Sequence, residues 1–230
     1  VSDLDMGMND WVCDKFEWSD SFSYNRGKVL GFEELEKLDS YGRYLDSDND
    51  GICYRTYPGT HPEKGAYFTR GTSHDEYARY TEDGNINAET LMRLMRKFRT
   101  ASELVPPPII EINGEDSCGI IYYGSSKPAV LEAKDILKTK DINVDLMQIR
   151  SFPFNLDVWE FIASHDRIYV VEQNRDSQMR TLIMAEGGIS AEILRPLVHF
   201  TGDPIEASYI VNKISEREVN YKSHKNIKER

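Results

Sequence analysis

The chain has 230 residues, 40% hydrophobic and 29% charged, with a net charge of −11. This length holds one sizeable core or two small ones, and the charge argues against nucleic acid as the main partner, since duplex binding needs a cationic surface. No apolar run approaches the roughly 20 residues that cross a bilayer, so no membrane span is predicted.

The three cysteines, Cys13, Cys53 and Cys118, stand far apart. No CxxC is present to build a zinc ribbon, an iron–sulfur run or a redox pair. Lone cysteines suit a reducing, cytoplasmic compartment.

Val1–Asp5 reads as the end of a strand without a signal peptide, and the expectation is that the chain begins inside a larger protein. Residues 1–29 are rich in Asp, Met and aromatics, among them Asp3, Met6, Met8, Trp11, Phe16, Trp18, Phe22 and Tyr24. Residues 30–87 are polar and turn-rich, with one short helix expected near Phe32–Leu38. So long an irregular stretch is expected to wrap a partner or line a site, and wrapping is the favoured reading.

A strong helix follows, with Asn87 as its expected N-cap and Glu89 in the first turn. Leu91, Leu94, Met95, Phe98 and Ala101 recur at helical spacing and are expected inside, together with Met92. Arg93, Arg96, Lys97 and Arg99 are expected outside. Val105-Pro-Pro-Pro108 stops this helix and is the expected domain boundary.

From 109 onward, strands and helices alternate. Strands are predicted at Gly119–Tyr123, Val144–Ile149, Arg167–Val171 and Leu197–Phe200. Helices are predicted at Pro128–Lys138, Asn155–Ser164, Gln178–Glu186 and Pro204–Ser215. In the first of these helices Ala129, Val130, Ala133 and Leu137 point inward. The alternation predicts an α/β fold with a mostly parallel sheet covered on both faces. The mildly basic end beyond Lys213 reads as a frayed tail.

Four stretches could carry chemistry. Asp46-Ser-Asp48-Asn-Asp50-Gly51-Ile52 matches the first seven positions of a calcium loop, in which three carboxylates and the Ile52 carbonyl surround a Ca²⁺ or Mg²⁺ ion. Position twelve is Tyr57 instead of a bidentate Glu, so an acidic turn held by Asx hydrogen bonds is the competing reading. Arg70, His74, Asp75 and Glu76 gather a carboxylate anchor, a group titrating near neutral pH and two acids in one loop. The alternative there is a solvated, ion-paired loop. Gly124-Ser125-Ser126 precedes a helix and reads as capping. Glu172-Gln-Asn-Arg-Asp176 follows a strand, where open α/β sheets place sites and interfaces, or it is a polar loop into the next helix.

Several stretches taken in order resemble one family. They are Asp3-Leu-Asp-Met-Gly-Met-Asn-Asp-Trp11, Asp48-Asn-Asp-Gly-Ile52 with Tyr54-Arg-Thr56, Pro58-Gly-Thr-His-Pro62, Gly65-Ala-Tyr-Phe-Thr-Arg-Gly-Thr-Ser-His-Asp-Glu-Tyr77, Arg150-Ser-Phe-Pro-Phe154 and Val171-Glu-Gln-Asn-Arg-Asp176. Together they resemble the 2-oxoacid:ferredoxin oxidoreductases, specifically the C-terminal part of a 2-oxoglutarate-type alpha subunit.

The resemblance implies that residues 1–10 close a pyrimidine-binding domain and that 11–107 form a connecting segment. It further implies that 108–214 form a three-layer transketolase C-terminal-like domain, leaving 215–230 as a polar tail. It implies oxidative decarboxylation of a 2-oxoacid on thiamine diphosphate, acyl transfer to coenzyme A and electron transfer through a [4Fe–4S] cluster to ferredoxin. Thiamine diphosphate, its Mg²⁺ and the cluster are then held mainly by other chains, above all a beta subunit in a hetero-oligomer, and this chain is inactive alone. Gly71–Tyr77 resembles the family's Gly-x-x-His-Asp-Glu loop near the active centre. Arg70 and His74 are therefore expected to approach substrate or coenzyme A, oriented by Asp75 and Glu76. Ala78 stands where relatives often carry glycine, which implies a stiffer loop. A non-catalytic assembly module and a calcium-binding structural domain are the alternatives.

Overall fold

The computed structural model describes residues 1–8, 12, 21, 25–114 and 118–228, with residues 220 and 222–228 described by backbone alone. Trp11, Cys13, Phe16, Trp18, Phe22 and Tyr24 lie outside the described residues. The chain divides into two compact units, Val1–Lys15 with Pro106–Arg230, and Phe16–Val105. No described helix is long and apolar enough to cross a membrane.

The first unit is a five-stranded sheet. Its strands are β1 (Ile109–Glu111), β2 (Cys118–Tyr122), β3 (Val144–Gln148), β4 (Ile168–Glu172) and β5 (Leu194–Val198), in the order β1-β3-β2-β4-β5. All pairings are parallel except β1 with β3. The expected mostly parallel α/β fold is therefore present.

Alternation along the strands sends successive residues to opposite faces. Ile120, Leu146, Tyr169 and Val171 face one apolar cluster with Val130, Leu137, Ile210 and Ile214. Ile121, Met147, Ile168 and Val170 face the other with Val158, Phe161, Ile162 and Ile183. Helices α4 (Lys127–Lys138) and α7 (Ala207–Lys228) supply the first cluster, and α5 (Leu156–Ala163) and α6 (Gln178–Gly187) the second. Ala129, Val130, Ala133 and Leu137 are buried as expected.

Three expectations for this unit need correction. Val1–Asp5 is not a strand end: α1 runs Leu4–Met8, and the Asp3 carboxylate accepts the Met6 amide at 3.1 Å, as an N-cap does. The last strand lies at Leu194–Val198, upstream of the expected Leu197–Phe200. Pro196 masks it, yet β5 is an edge strand, where a missing donor is tolerated. The polar tail is helix: α7 continues to Lys228. Polar side chains hold it, because the buried Glu218 accepts from Arg167 Nε at 2.9 Å and from Tyr169 Oη at 2.8 Å, and Tyr221 donates to Asp166.

The second unit carries two helices, α2 (Phe32–Glu36) and α3 (Gly84–Leu104), among turns. Helix α3 starts earlier than expected, capped by Asp83, whose side chain accepts from Asn85 N. It ends at Leu104, before the prolines. Its polarity departs from the expected pattern. Leu91, Met92, Met95 and Phe98 are 51–59% exposed, while Arg93, Leu94 and Arg96 are partly buried.

The cause is the Asp46–Ile52 loop, which packs on the cationic side of the helix. Arg96 Nη2 meets Asp46 at 3.0 Å, Arg93 Nη1 donates to the Gly51 carbonyl at 3.2 Å, and Thr100 Oγ1 donates to the Asp50 carbonyl at 2.5 Å. Gly51 has φ +83°, and a Cβ there would stand 2.2 Å from the Lys97 amide nitrogen. The glycine is needed both for its dihedral and for backbone-to-backbone approach.

Gly51→Ala forces backbone apart at a positive φ and is expected to destabilise the chain by at least about 2 kcal/mol, read as a lowered denaturation midpoint. Glu218→Ala takes the buried carboxylate away from Arg167 Nε and Tyr169 Oη, leaving Arg167 with Asp166, and is expected to cost about 2 kcal/mol, measured in the same way.

Candidate functional site

In open α/β sheets, ligands bind beyond the carboxyl ends of strands where the strand order reverses. Here that point lies between β2 and β4, and the chain's own N-terminal residues fill it. Asp3 accepts from Ser125 N at 2.8 Å and from Ser125 Oγ, Leu4 N donates to the Gln173 carbonyl at 2.8 Å, and Tyr123 Oη donates to the Ser2 carbonyl at 3.0 Å. Asp3 thus sits before α4 where a bound anion would sit.

The Glu172–Asp176 segment is equally occupied. Buried Glu172 accepts from Met179 N at 2.7 Å and Arg180 N at 3.0 Å, and so caps α6 in place of its left-handed N-cap, Ser177. Of the two readings of this segment, the polar loop leading into a helix holds. Burial, reinforced by Glu172, pushes the Tyr123 phenol up.

The second unit holds the candidate site. Tyr44 is its centre, and the sequence reading passed over it. Its ring stacks on His74 with centroids 3.8 Å apart and an interplanar angle of 20°. Its hydroxyl accepts from Arg70 N at 3.2 Å, and Arg43 lies over the Tyr44 ring and over that of Tyr67. The available signal was Tyr41-Gly-Arg43-Tyr44, two aromatics flanking an arginine in a polar stretch.

Tyr44 separates two clefts. One, of about 370 Å³, is lined by Asp75, Glu76, Glu89 and Asp46 with Arg96 and Met92. The other, of about 470 Å³, is lined by His74 and by Arg26, Lys28, Arg43, Arg55, Arg93 and Lys97, and by no Asp or Glu. Tyr44, Thr90 and Arg93 border both.

The four expected loop residues are therefore neighbours in sequence but do not converge. His74 faces the cationic cleft, Asp75 and Glu76 the acidic one, and Arg70 lines neither. His74 Nδ1 donates to the Asp75 carbonyl at 3.0 Å. Arg70 is exposed, donates from Nε to the Ala78 carbonyl at 2.9 Å and lies over the Phe68 ring.

Asp75 and Glu76 do not orient these groups through their carboxylates, contrary to expectation. Asp75 Oδ1 accepts from Tyr77 N at 2.9 Å and Arg79 N at 2.8 Å, and so closes its own turn. That turn places Ala78 at φ +65°, the conformation for which a glycine is preferred.

The calcium-loop set is also redirected. Lys28 Nζ stands 2.7 Å from both Asp48 and Asp50, and Asp46 pairs with Arg96 and accepts from Gly51 N. Hydrogen bonds from Lys28, joined by Tyr54 for Asp48 and by Ile52 N for Asp50, hold both carboxyls below their usual range. The positive charge in this loop is an ammonium. Among the described residues no group of three or more His, Cys, Asp or Glu is placed to hold a metal ion, so neither Ca²⁺ nor the Mg²⁺ of a diphosphate finds a ligand set. A [4Fe–4S] cluster takes four thiolates. The described thiols, Cys53 and Cys118, are free, one in each unit, and burial pushes Cys118 up to about 12. These residues do not fit the cluster.

No protein-family model matches the chain. It is 28% identical over 200 residues to 2-oxoacid:ferredoxin oxidoreductase 2, subunit alpha, of Aeropyrum pernix, which covers 83% of this chain and 29% of the relative. It is 28% identical over 124 residues to the 2-oxoacid:ferredoxin oxidoreductase subunit alpha of Saccharolobus solfataricus, covering 52% of this chain and 20% of the relative. The chain thus spans less than a third of the length of these relatives. Its fold matches the 2-oxoglutarate:ferredoxin oxidoreductase of Magnetococcus marinus, solved with 2-oxoglutarate, coenzyme A and succinyl-CoA, at a TM-score of 0.72 and 22% identity over 86% of this chain and 33% of that one. By sequence the chain is a relative of 2-oxoacid:ferredoxin oxidoreductase alpha subunits, the family that its motifs resemble.

Proposed function

We propose that the chain acts as part of a 2-oxoacid:ferredoxin oxidoreductase alpha subunit, in the oxidative decarboxylation of a 2-oxoacid to an acyl-CoA with ferredoxin as electron acceptor. The observation that carries this reading is the 200-residue similarity to an alpha subunit, which runs through 83% of the chain. The fold match to an enzyme holding 2-oxoglutarate and coenzyme A supports 2-oxoglutarate as the substrate and coenzyme A as the co-substrate. Thiamine diphosphate supplies the carbanion chemistry in such an enzyme. That coenzyme, its Mg²⁺ and the iron–sulfur cluster then fall to a beta subunit in a cytoplasmic hetero-oligomer.

The chain's own contribution is polar positioning. His74, fixed by the Tyr44 stack and the Asp75 carbonyl, offers Nε2 as a proton donor or acceptor. Arg70 holds an exposed guanidinium in place through the Ala78 carbonyl and offers its remaining donors to a carboxylate. Tyr44 is a positioning residue for both.

A second reading, that the chain serves assembly alone, draws on α3, whose Leu91, Met92, Met95 and Phe98 stand 51–59% exposed. Kinetics separates the two. In the intact complex, Arg70→Ala and His74→Ala are expected to raise the oxoacid KM or lower kcat by about tenfold or more in oxoacid-dependent viologen reduction. Unchanged kinetics in a correctly assembled complex overturns the catalytic contribution and leaves assembly.

A further inference from the structure

We propose that the cationic cleft of the second unit is a binding site for a phosphate-bearing anion. The inference stands on the cleft itself and not on the family reading. Six of its lining residues are Lys or Arg and none is Asp or Glu, in a chain whose net charge is −11. Lys28 is neutralised by Asp48 and Asp50. Arg43, Arg55, Arg93 and Lys97 form no ion pair among the described residues.

Three of these four are nevertheless held in place. Arg93 donates to the Gly51 carbonyl, Arg55 to the Arg26 carbonyl, and Arg43 lies over the rings of Tyr44 and Tyr67. Carbonyls and rings fix a guanidinium but leave its full charge. Arg43 Nε is buried and has no hydrogen-bond partner. Concentrating like charges in one concavity is unfavourable by itself, and it focuses the field on whatever anion enters. Guanidinium forks beside a flexible ammonium match phosphoryl oxygens, which accept several charge-assisted hydrogen bonds at once. Tyr44 and His74 on the cleft wall add a flat surface for an attached ring. Cys53 on the same wall is no competitor for the cations, because burial pushes its thiol up despite Arg93, Arg43 and Lys97 beside it.

The test is calorimetric titration of the full chain with pyrophosphate at fixed ionic strength. The expected result is saturable one-to-one binding that Lys97→Ala and Arg93→Gln each weaken by about tenfold. Lys97 is exposed, so its replacement leaves the fold intact. Arg99→Ala changes a cation on α3 that lines neither cleft and is expected to leave binding unchanged. Competition by ADP, coenzyme A or thiamine diphosphate against pyrophosphate then identifies the source of the phosphoryl group, and tighter binding by any of them supports the site. No saturation up to about 10 mM pyrophosphate overturns the proposal, since that is weaker than a dedicated site. Equal weakening by Arg99→Ala overturns it in favour of diffuse charge, and equal competition by succinate overturns the phosphoryl class.

Discussion

The second unit depends on the contact between the Asp46–Ile52 loop and α3. Among its described residues only Leu35 and Ala78 are buried hydrophobics, so apolar burial does little to define it. Instead, Gly51 lets loop backbone meet helix backbone, and Arg93, Arg96 and Thr100 anchor the loop through carbonyls and one carboxylate. Hydrogen bonds of this sort are directional and contribute about 1 kcal/mol each. They fix geometry more than they add stability. This contact draws Arg93, Leu94 and Arg96 inward and leaves the apolar stripe of α3 outside. It also sets Arg93 on the border between the two clefts, so the charge pattern of the site follows from one glycine.

The first unit works in the opposite way. Two apolar clusters clamp the sheet, and its key buried carboxylates are each paired. Glu172 caps α6, Glu218 joins Arg167 and Tyr169, and Asp3 closes the point where the strand order reverses. A ligand at that reversal point would have to displace Asp3 and the backbone bond from Leu4 to Gln173. The fold's customary binding position is thus used for internal packing. The candidate site lies instead in the unit that has the less apolar interior.

What the sequence made legible follows the same division. Strands such as Ile168–Glu172 and helices such as Lys127–Lys138 declare themselves because burial on defined faces imposes a period. Glu218 and Tyr221 extend α7 through ion pairs and hydrogen bonds, which leave no period, so the tail read as frayed. Helix α3 showed its length but not its orientation, since an amphipathic stripe cannot reveal which face is covered when the covering loop is polar. The Asp46–Ile52 motif reported a sharp turn correctly. It could not report that Lys28, distant in sequence, supplies the charge. Tyr44 was missed because nothing in a loop sequence predicts ring stacking.

The division of the Gly71–Tyr77 loop by Tyr44 constrains any chemistry it performs. His74 lines one cleft and Asp75 and Glu76 the other, so these side chains do not share a site in this arrangement. Asp75 has both its lone-pair directions on Oδ1 engaged by backbone amides and holds the turn rather than a proton. His74 donates from Nδ1 to a carbonyl, which leaves Nε2 as its working atom. That atom stands among cations instead of carboxylates. An anion drawn into this cleft is thereby brought beside His74, so charge balance and approach to the Gly71–Tyr77 loop are the same event.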